Sequence, residues 1–230
     1  MSRQRPQVLF FDVNETLLDL AGMRLVVGHA LGGREDLLPL WFSTLLHYSL
    51  VATVGKAYRS FGDIGTAALQ MVAANQGISL STTKARAVIV ESLRTLPPHP
   101  EVPAALARLQ AAGYQLVALT NSSQAGLAAK FEHAGLTDHF TDLLSVERVN
   151  KFKPHPDTYA WAAKHMGVQP DTAFMTAAHG WDVAGALWAS WRAAFVQRPG
   201  AQPYPLGPEP EFTGADLGQV SDYLLSLVEG

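Results

Sequence analysis

Short apolar runs recur along the C-terminal two-thirds of the chain, and segments with helical spacing of apolar residues separate them. Each run is bounded by turn residues, which is typical of a buried strand in a parallel sheet. The pattern predicts strands at 8–11, 115–120, 142–146, 172–176 and 193–197, with helices between them at 102–112, 124–134, 156–166 and 182–191. Strands that alternate with helices in this way indicate an α/β fold with a doubly wound parallel sheet.

Residues 20–98 interrupt that alternation because their apolar positions have helical rather than strand periodicity. This segment has room for about four helices, and we interpret it as an inserted helical cap. The sequence therefore predicts two domains, an α/β core of residues 1–19 and 99–230 and a helical cap of residues 20–98. The proline-rich stretch 95–102 is a candidate hinge. Residues 199–210 are expected to be irregular, before a final helix near 216–228.

Composition narrows the class of protein. Hydrophobic residues make up 48% and charged residues 16% of the 230 positions, as in a well-buried globular protein. A formal charge of −3 offers no basic surface for nucleic acid, and the absence of cysteine excludes disulfides and thiolate chemistry. We expect no membrane span, since no apolar stretch approaches roughly 20 residues, and no secretion signal before the first strand. The expected location is cytoplasmic.

Polar residues cluster where the predicted strands end. Asp12 follows the first strand, Thr120 and Asn121 end the second, Lys153 lies in the loop after the third, and Asp182 opens the helix after the fourth. In an open parallel sheet, ligands bind at the carboxyl ends of the strands. The sequence therefore predicts that these side chains converge on one edge of the sheet.

Four segments at this edge resemble the four motifs of the haloacid dehalogenase superfamily. They are FDVNETLLD (11–19), LTNSS (119–123), KFKPHPDTY (151–159) and GWD (180–182), in the family's order and spacing. LWFSTLLHY (40–48) and the stretches LLSVERVNKFKP and GWDVAGA are most similar to the type II (S)-2-haloacid dehalogenases. The resemblance covers nearly the whole chain, and it implies the same fold with a helical cap.

The resemblance implies a reaction through a covalent ester. Asp12 would attack C2 of a short 2-substituted carboxylic acid, expel the leaving group and form an alkyl ester, which water then hydrolyses to a 2-hydroxy acid. Lys153 would supply positive charge, Thr16 a hydroxyl near the Asp12 carboxylate, and Asp182 a further group of the site. From the residues alone, a purely structural role stays open for each of these side chains. Asp12 would then cap a turn, Lys153 would be a surface lysine and Asp182 would cap a helix.

The family also implies substrate-binding residues. The Thr120 hydroxyl and the backbone N–H groups near Val13 and Asn14 would bind the substrate carboxylate, although Thr120 and Asn121 would also suit a helix cap. Other positions match the family's site tyrosine and apolar pocket walls, for which core packing is the alternative. These positions are Tyr159 for the tyrosine and Leu46, Phe61 and Trp181 for the walls, with Phe42 beside them.

The sequence departs from the family at three places. Phe42 follows Trp41 where the dehalogenases have an arginine that receives the halide, and Arg59 in the cap is a candidate replacement. Asn14 and Glu15 replace an aromatic residue and a glycine after the nucleophile. In the fourth motif, Ala177 and His179 replace a serine and an asparagine that help to hold water. Neutral His179 would be able to accept a proton from water, or it simply hydrogen-bonds at the helix start.

These departures leave several functions open. Phosphatase chemistry would need a second aspartate where Asn14 stands and more acidic metal ligands than Asp182, so we expect no metal and no cofactor. A non-catalytic binding protein is a further alternative. A departing ring nitrogen would tolerate Phe42 and use the Asn14 amide oxygen as an acceptor, so ring opening of azetidine-2-carboxylate is the sharpest alternative substrate. The family also implies a homodimer formed through cap helices.

Overall fold

A computed structural model of the chain describes residues 4–227, and its centre is a six-stranded parallel sheet. The strands lie in the order β3-β2-β1-β4-β5-β6. Their bounds are β1 Val8–Phe11, β2 Gln115–Thr120, β3 Asp142–Ser145, β4 Ala173–Ala177, β5 Arg192–Val196 and β6 Phe212–Gly214. The order reverses direction at β1, which confirms the predicted doubly wound sheet.

The register of the central strands places their carboxyl ends side by side. Phe11, the last residue of β1, lies opposite Ala118 of β2 and Thr176 of β4. All four residues of β1 are buried, because helices cover both faces of a parallel sheet. Asp12 therefore emerges between the ends of β2 and β4, at the point where the strand order reverses.

Nine α-helices are present in residues 4–227, and their bounds follow the predicted periodicity closely. They are α1 Arg24–Ala30, α2 Leu38–Val54, α3 Phe61–Asn75, α4 Thr82–Arg94, α5 Val102–Ala111, α6 Gln124–Ala134, α7 Pro156–Met166, α8 Gly180–Trp188 and α9 Leu217–Leu225. Gly135 and Gly167 end α6 and α7 at φ values of 67° and 69°, in the left-handed region that favours glycine. The helix predicted at 182–191 begins two residues earlier than expected, at Gly180.

Helices α1 to α4 form the insertion between β1 and α5, as predicted for residues 20–98. Within it, α2 packs on α3, and the Trp41 indole N–H donates to the Gly65 carbonyl at 2.9 Å. A Cβ atom at Gly65 would lie 3.2 Å from the Ile89 side chain of α4, which is tighter than an ordinary contact, so the glycine allows α4 to pack closely on α3. The division of the chain into two domains stays a prediction.

Two features of the fold were not predicted from the sequence, the short strand β6 and a long apolar helix. Strand β6 was missed, because three residues at the sheet edge give almost no alternating pattern. The segment Glu35–Val54, 20 residues with mean hydropathy 1.4, is long and apolar enough to cross a membrane by length and composition. One such helix is weak evidence for a span, because core helices of soluble proteins meet the same criterion. Its inner face buries Trp41 and Leu45.

Candidate active site

Asp12 continues the ladder of β1 and then begins a tight loop. Its backbone N–H donates to the carbonyl of Thr176 at 3.0 Å, so the residue is held by the central sheet. The Thr16 hydroxyl donates to Asp12 Oδ2 at 2.7 Å and accepts from the Ala178 N–H at 2.9 Å. Thr16 therefore links the carboxylate to the end of β4, and the predicted position of its hydroxyl matches the structure.

Glu15 lies at the most constrained backbone position of this loop. Its φ of 62° is in the left-handed region, where a residue other than glycine costs about 1 kcal/mol. The carbonyl of Glu15 lies 3.0 Å from His99 Nε2, and Arg198 donates to the carbonyl of Thr16 at 2.8 Å. Buried Arg198 also pairs with Glu101 at 2.7 Å. The loop is thus held from outside the site by residues that sequence reasoning did not identify.

The Lys153 ammonium forms the centre of the site. Its Nζ lies 2.9 Å from Asp12 Oδ1, 2.6 Å from Asp182 Oδ2 and 2.7 Å from the Leu119 carbonyl. The side chains of Lys153 and Asp182 are completely buried, and that of Asp12 is 7% exposed. All three donor positions of the ammonium are therefore used. Lys153 does not lie on the surface, which was the open alternative for it.

Asp182 lies in the first turn of α8 but does not cap it. The N-cap residue of that helix is His179, and Asp182 Oδ1 instead accepts a hydrogen bond from the Tyr159 hydroxyl at 2.6 Å. With its other oxygen on Lys153, the carboxylate is held by two side chains from separate segments. The Asn121 side-chain oxygen accepts from the Lys153 backbone N–H at 2.9 Å and fixes the lysine loop to the end of β2.

These contacts determine how the buried groups ionise. Burial raises the pKa of Asp12, but the Lys153 ammonium, His179 and the hydrogen bonds outweigh it and hold that pKa below its usual value. Burial raises the pKa of Asp182, and Lys153 only partly offsets it. Burial alone would lower the pKa of Lys153. The Asp12 and Asp182 carboxylates raise that pKa by more, so the net shift is upward. The arrangement keeps Asp12 ionised although it is buried.

His179 lies between the nucleophile loop and a group of aromatic rings. Its Nε2 lies 3.2 Å from the Asn14 carbonyl and 3.7 Å from Asp12 Oδ2. A carbonyl only accepts, so Nε2 is the donor in this contact. The ring stacks on Trp181 at 5.1 Å between centroids and lies 5.8 Å from Phe42. Phe42 and Trp181 are thus within reach of the site, as predicted.

The groups expected to bind a carboxylate lie at the ends of β1 and β2. The N–H groups of Val13 and Asn14 have no hydrogen-bond acceptor among residues 4–227. Thr120 Oγ1 accepts from the Ser122 N–H at 3.2 Å, which leaves the Thr120 hydroxyl proton available as a donor. Donors from two strand ends are therefore available for an anion.

Three predicted residues lie farther from the carboxylate. Buried Phe61 packs against Phe152, the neighbour of Lys153, at 6.0 Å between ring centroids. Leu46 is half-buried and packs against the core. Arg59 is exposed, and its guanidinium donates to the Tyr58 carbonyl rather than to a group of the site. The structure therefore does not bring Arg59 to the Asp12 carboxylate.

Lys130 is a site neighbour that sequence reasoning missed. Its Nζ donates to Asn14 Oδ1 and to Ser122 Oγ, each at 2.8 Å, and the residue is 2% exposed. Leu127, Lys130 and Phe131 share the buried stripe of α6, although a lysine within a helix ordinarily indicates a solvated face.

The family of the chain is established by comparison with known proteins. The family model described as haloacid dehalogenase-like hydrolase matches residues 6–189. The chain belongs to this family. The match spans every segment of the site, from Asp12 to Asp182, and the chain is accordingly an enzyme of the hydrolase class.

Curated relatives of this haloacid dehalogenase-like hydrolase include several dehalogenases. The (S)-2-haloacid dehalogenase H-109 of Pseudomonas putida is 30% identical over 218 residues, covering 94% of this chain and 97% of the relative. Haloacetate dehalogenase H-2 of Moraxella sp. (strain B) is 26% identical over 208 residues, covering 90% and 92%.

Solved structures share the fold over almost the whole length. The L-2-haloacid dehalogenase of Xanthobacter autotrophicus with chloropropionic acid covalently bound superposes with a TM-score of 0.91 and 24% identity, covering 97% of this chain and 100% of that chain. The likeness confirms the α/β fold predicted from the sequence.

Proposed function

We propose that this hydrolase cleaves the carbon–halogen bond of short (S)-2-haloacids at C2 and releases 2-hydroxy acids. The observation that carries the proposal is the buried Lys153 ammonium between Asp12 and Asp182, at 2.9 and 2.6 Å. One ammonium next to two carboxylates allows Asp12 to remain ionised in a site from which water is largely excluded. A desolvated, oriented carboxylate is a much better nucleophile than one in water. The names of the curated relatives support the same reaction.

In the first step, a carboxylate oxygen of Asp12 attacks C2 of the substrate. The new C–O bond forms as the carbon–halogen bond breaks, and the halide leaves with the bonding electron pair. The product of this step is an Asp12 alkyl ester, with the configuration at C2 inverted. Thr16 and Lys153 hold one carboxylate oxygen each, which fixes the direction of attack.

In the second step, water attacks the ester carbonyl carbon of Asp12. We propose that His179, whose ring lies beside the Asp12 carboxylate, takes the proton of this water. The tetrahedral intermediate then collapses, and His179 gives its proton to the departing alkoxide, so that the 2-hydroxy acid leaves with the original Asp12 oxygen. The oxygen of water stays in the Asp12 carboxyl group, which loses its remaining proton and becomes a carboxylate again. Lys153 and Thr16 are placed to stabilise the negative charge that develops on the carbonyl oxygen.

The substrate carboxylate is proposed to bind at the ends of β1 and β2. The free N–H groups of Val13 and Asn14 and the Thr120 hydroxyl are donors of the kind that an anion requires. Phe42 and Trp181, around His179, would line the apolar side of a pocket for a short carbon chain. We expect substrates of a few carbon atoms.

Azetidine-2-carboxylate is the alternative substrate for the same nucleophile. Phe42 favours it, because an apolar ring does not repel a departing amine as an arginine would. Lys130 disfavours it, because its ammonium already donates to the Asn14 oxygen that was expected to accept from the amine. Comparing chloride release from (S)-2-chloropropionate with ring opening of L-azetidine-2-carboxylate tests this choice. We expect chloride release to be the faster reaction.

Phosphatase activity and a purely binding role are less well supported. Asn14 stands where phosphatase chemistry needs an aspartate as general acid. An amide cannot deliver a proton, and the Asn14 amide oxygen accepts a hydrogen bond from Lys130. A protein that had lost catalysis would have no need to keep a buried Asp12–Lys153–Asp182 cluster, which is costly to bury. No metal or cofactor has a role in this mechanism.

The function is tested by halide release from (S)-2-chloropropionate in wild type and in Asp12→Asn. We expect the variant to lose activity by a thousandfold or more, since an amide is not a nucleophile of this kind and the loss of a nucleophile typically costs about that much or more. Asp157→Asn, in an exposed ion pair with Lys151, is the matched control and should retain activity. Wild-type rates in Asp12→Asn would refute the proposal.

We also propose that the protein is a cytoplasmic homodimer that pairs through α2. The outer face of this helix exposes Leu40, Tyr48, Val51 and Val54 to solvent. Exposed apolar side chains grouped along one helix are a common feature of protein–protein contacts.

A further inference from the structure

Lys130 is a buried cation without a carboxylate partner within ion-pair distance in residues 4–227. It occupies the inner face of α6 and is 2% exposed, and its two hydrogen bonds go to neutral oxygens, Asn14 Oδ1 and Ser122 Oγ. Burying a lysine in this way is costly, and an apolar residue on this stripe of α6 would pack without that cost. The mechanism above does not use Lys130, so its burial needs a different explanation.

The hydrogen bond from Lys130 fixes which end of the Asn14 amide faces the site. In its protonated form, below its pKa of about 7, Lys130 only donates, so Asn14 presents its oxygen to Lys130 and directs its NH2 group elsewhere. That NH2 group has no acceptor among the described residues, although Asn14 itself is buried. Asn14 is two residues from Asp12, and its carbonyl lies 3.2 Å from His179 Nε2. A free donor is therefore held beside the nucleophile.

The electrostatics of Lys130 are coupled to the same site. Burial lowers the pKa of Lys130 to about 7, and the Asp12 carboxylate is the charged group that acts against this shift. Charged residues on the elements packed against α6 have other partners. Glu91 and Arg94 of α4 pair with each other, and Asp142 of β3 binds His165.

We propose that Lys130 is a positioning residue that acts through Asn14, holding its amide so that the NH2 group receives an anionic group of the substrate. This inference rests on the proposed function, in which the substrate brings two such groups, the carboxylate and the departing halide. The carboxylate already has the Val13 and Asn14 N–H groups and the Thr120 hydroxyl as proposed donors. The mechanism above assigns the halide no donor, and we assign the Asn14 NH2 group to it. The NH2 group of Asn121, whose oxygen accepts from the Lys153 N–H, is the competing donor.

The test measures anion binding and needs no turnover. Sodium bromide and, separately, sodium propionate are titrated at constant ionic strength into wild type, Lys130→Met, Asn14→Ala and the double variant, following tryptophan fluorescence, since Trp181 stacks on His179 at the site. We expect Lys130→Met and Asn14→Ala each to weaken bromide binding about tenfold, as for loss of one hydrogen bond to a charged group. The double variant should be no weaker than Asn14→Ala, because Lys130 acts through Asn14.

The two anions separate the two sources of charge. Weaker bromide binding with unchanged propionate binding assigns the NH2 group to the halide, and the reverse assigns it to the carboxylate. Ser122→Ala is the matched control, because it removes the other hydrogen bond of the same ammonium and should leave both affinities unchanged. If Lys130→Met does not fold, Asn14→Ala must still weaken the binding of one anion.

Three results would overturn the inference. The first is that Lys130→Met or Asn14→Ala binds both anions as tightly as wild type does. The second is that the losses of affinity in the two single variants multiply in the double variant. The third is that wild type shows no saturable binding of either anion. Failure of the proposed function would be seen differently, as no chloride release by wild type from (S)-2-chloropropionate. If the variants bind bromide more weakly but wild type releases no chloride, the inferred anion site would stand and the proposed reaction would be wrong.

Discussion

Lys153 Nζ lies 2.9 Å from Asp12 Oδ1, and the pair is buried at the carboxyl end of the sheet. A buried carboxylate without a counter-ion takes up a proton instead of remaining charged. The ammonium therefore decides whether Asp12 is a nucleophile or an inert acid. Because the same ammonium also contacts Asp182, it neutralises only part of the negative charge around it.

Replacing Lys153 should shift the pH dependence of the reaction. Lys153 lowers the pKa of Asp12, so Lys153→Met raises that pKa, and the acidic limb of the kcat/KM profile moves to higher pH. We expect a shift of at least about one pH unit and a loss of about a hundredfold or more near neutrality. Chloride release measured from pH 5 to pH 10 checks this. Lys151→Met, an exposed lysine two residues away, is the control, and an unmoved acidic limb in Lys153→Met would contradict the account.

Tyr159→Phe should impair both activity and stability moderately. The Tyr159 hydroxyl donates to Asp182 Oδ1 at 2.6 Å, and its removal leaves a buried carboxylate one donor short, at a cost of about 1–3 kcal/mol. The pKa of Asp182, which burial already raises, should rise further. We expect kcat/KM to fall about tenfold through misplacement of Lys153. Steady-state kinetics and urea unfolding measure the two effects, with exposed Tyr204→Phe as the control. Unchanged kinetics with lowered stability would limit Tyr159 to a structural role.

The carboxyl-end residues of the site could be predicted because parallel strands bring their ends together. Asp12, Thr120 and Asn121 each follow an apolar run, and Lys153 lies in the loop after another. Side-chain partners were harder to predict, because they depend on contacts between distant segments. The bond between Tyr159 and Asp182, for example, joins residues on two different helices.

Lys130 and β6 show what the sequence does not reveal. A lysine in the middle of a helix ordinarily indicates a solvated face, and nothing in QAGLAAKFEHA states that Asn14 will lie opposite it. The partner comes from a loop 116 residues away. Strand β6 has three residues at the sheet edge, too few for a periodic signal. Both features depend on tertiary contacts rather than on local pattern.

Lys130 should make stability depend on pH above neutrality. The pKa of Lys130 is about 7 in the folded protein against an ordinary value of 10.5, so between these pH values the unfolded chain binds the proton and the folded chain does not. Stability of wild type should therefore rise with pH in this window, by at most about 1.4 kcal/mol per pH unit. Lys130→Met should lack this rise. Urea unfolding at pH 7 and pH 9 measures the difference, and equal slopes for the two proteins would contradict it.

A charge on the outer face of α2 should disrupt the proposed homodimer. Val51 is 48% exposed and lies on the apolar face of that helix, so Val51→Asp should give a monomer of half the wild-type mass. Val90→Asp, at a position on α4 that is 43% exposed, is the matched control and should keep the dimer. Size-exclusion chromatography with light scattering reports the masses. A monomeric wild type would refute the dimer.

The central claim is that Asp12 forms the covalent ester, and isotope labelling tests it most directly. Excess enzyme is mixed with (S)-2-chloropropionate in ¹⁸O-water for a single turnover, and the digested protein and the product are analysed by mass spectrometry. Because water attacks the carbonyl of the Asp12 ester, we predict one ¹⁸O in the Asp12 peptide and none in the 2-hydroxypropionate. An unlabelled Asp12 peptide together with ¹⁸O in the product would show that water attacks C2 directly, and would contradict the account.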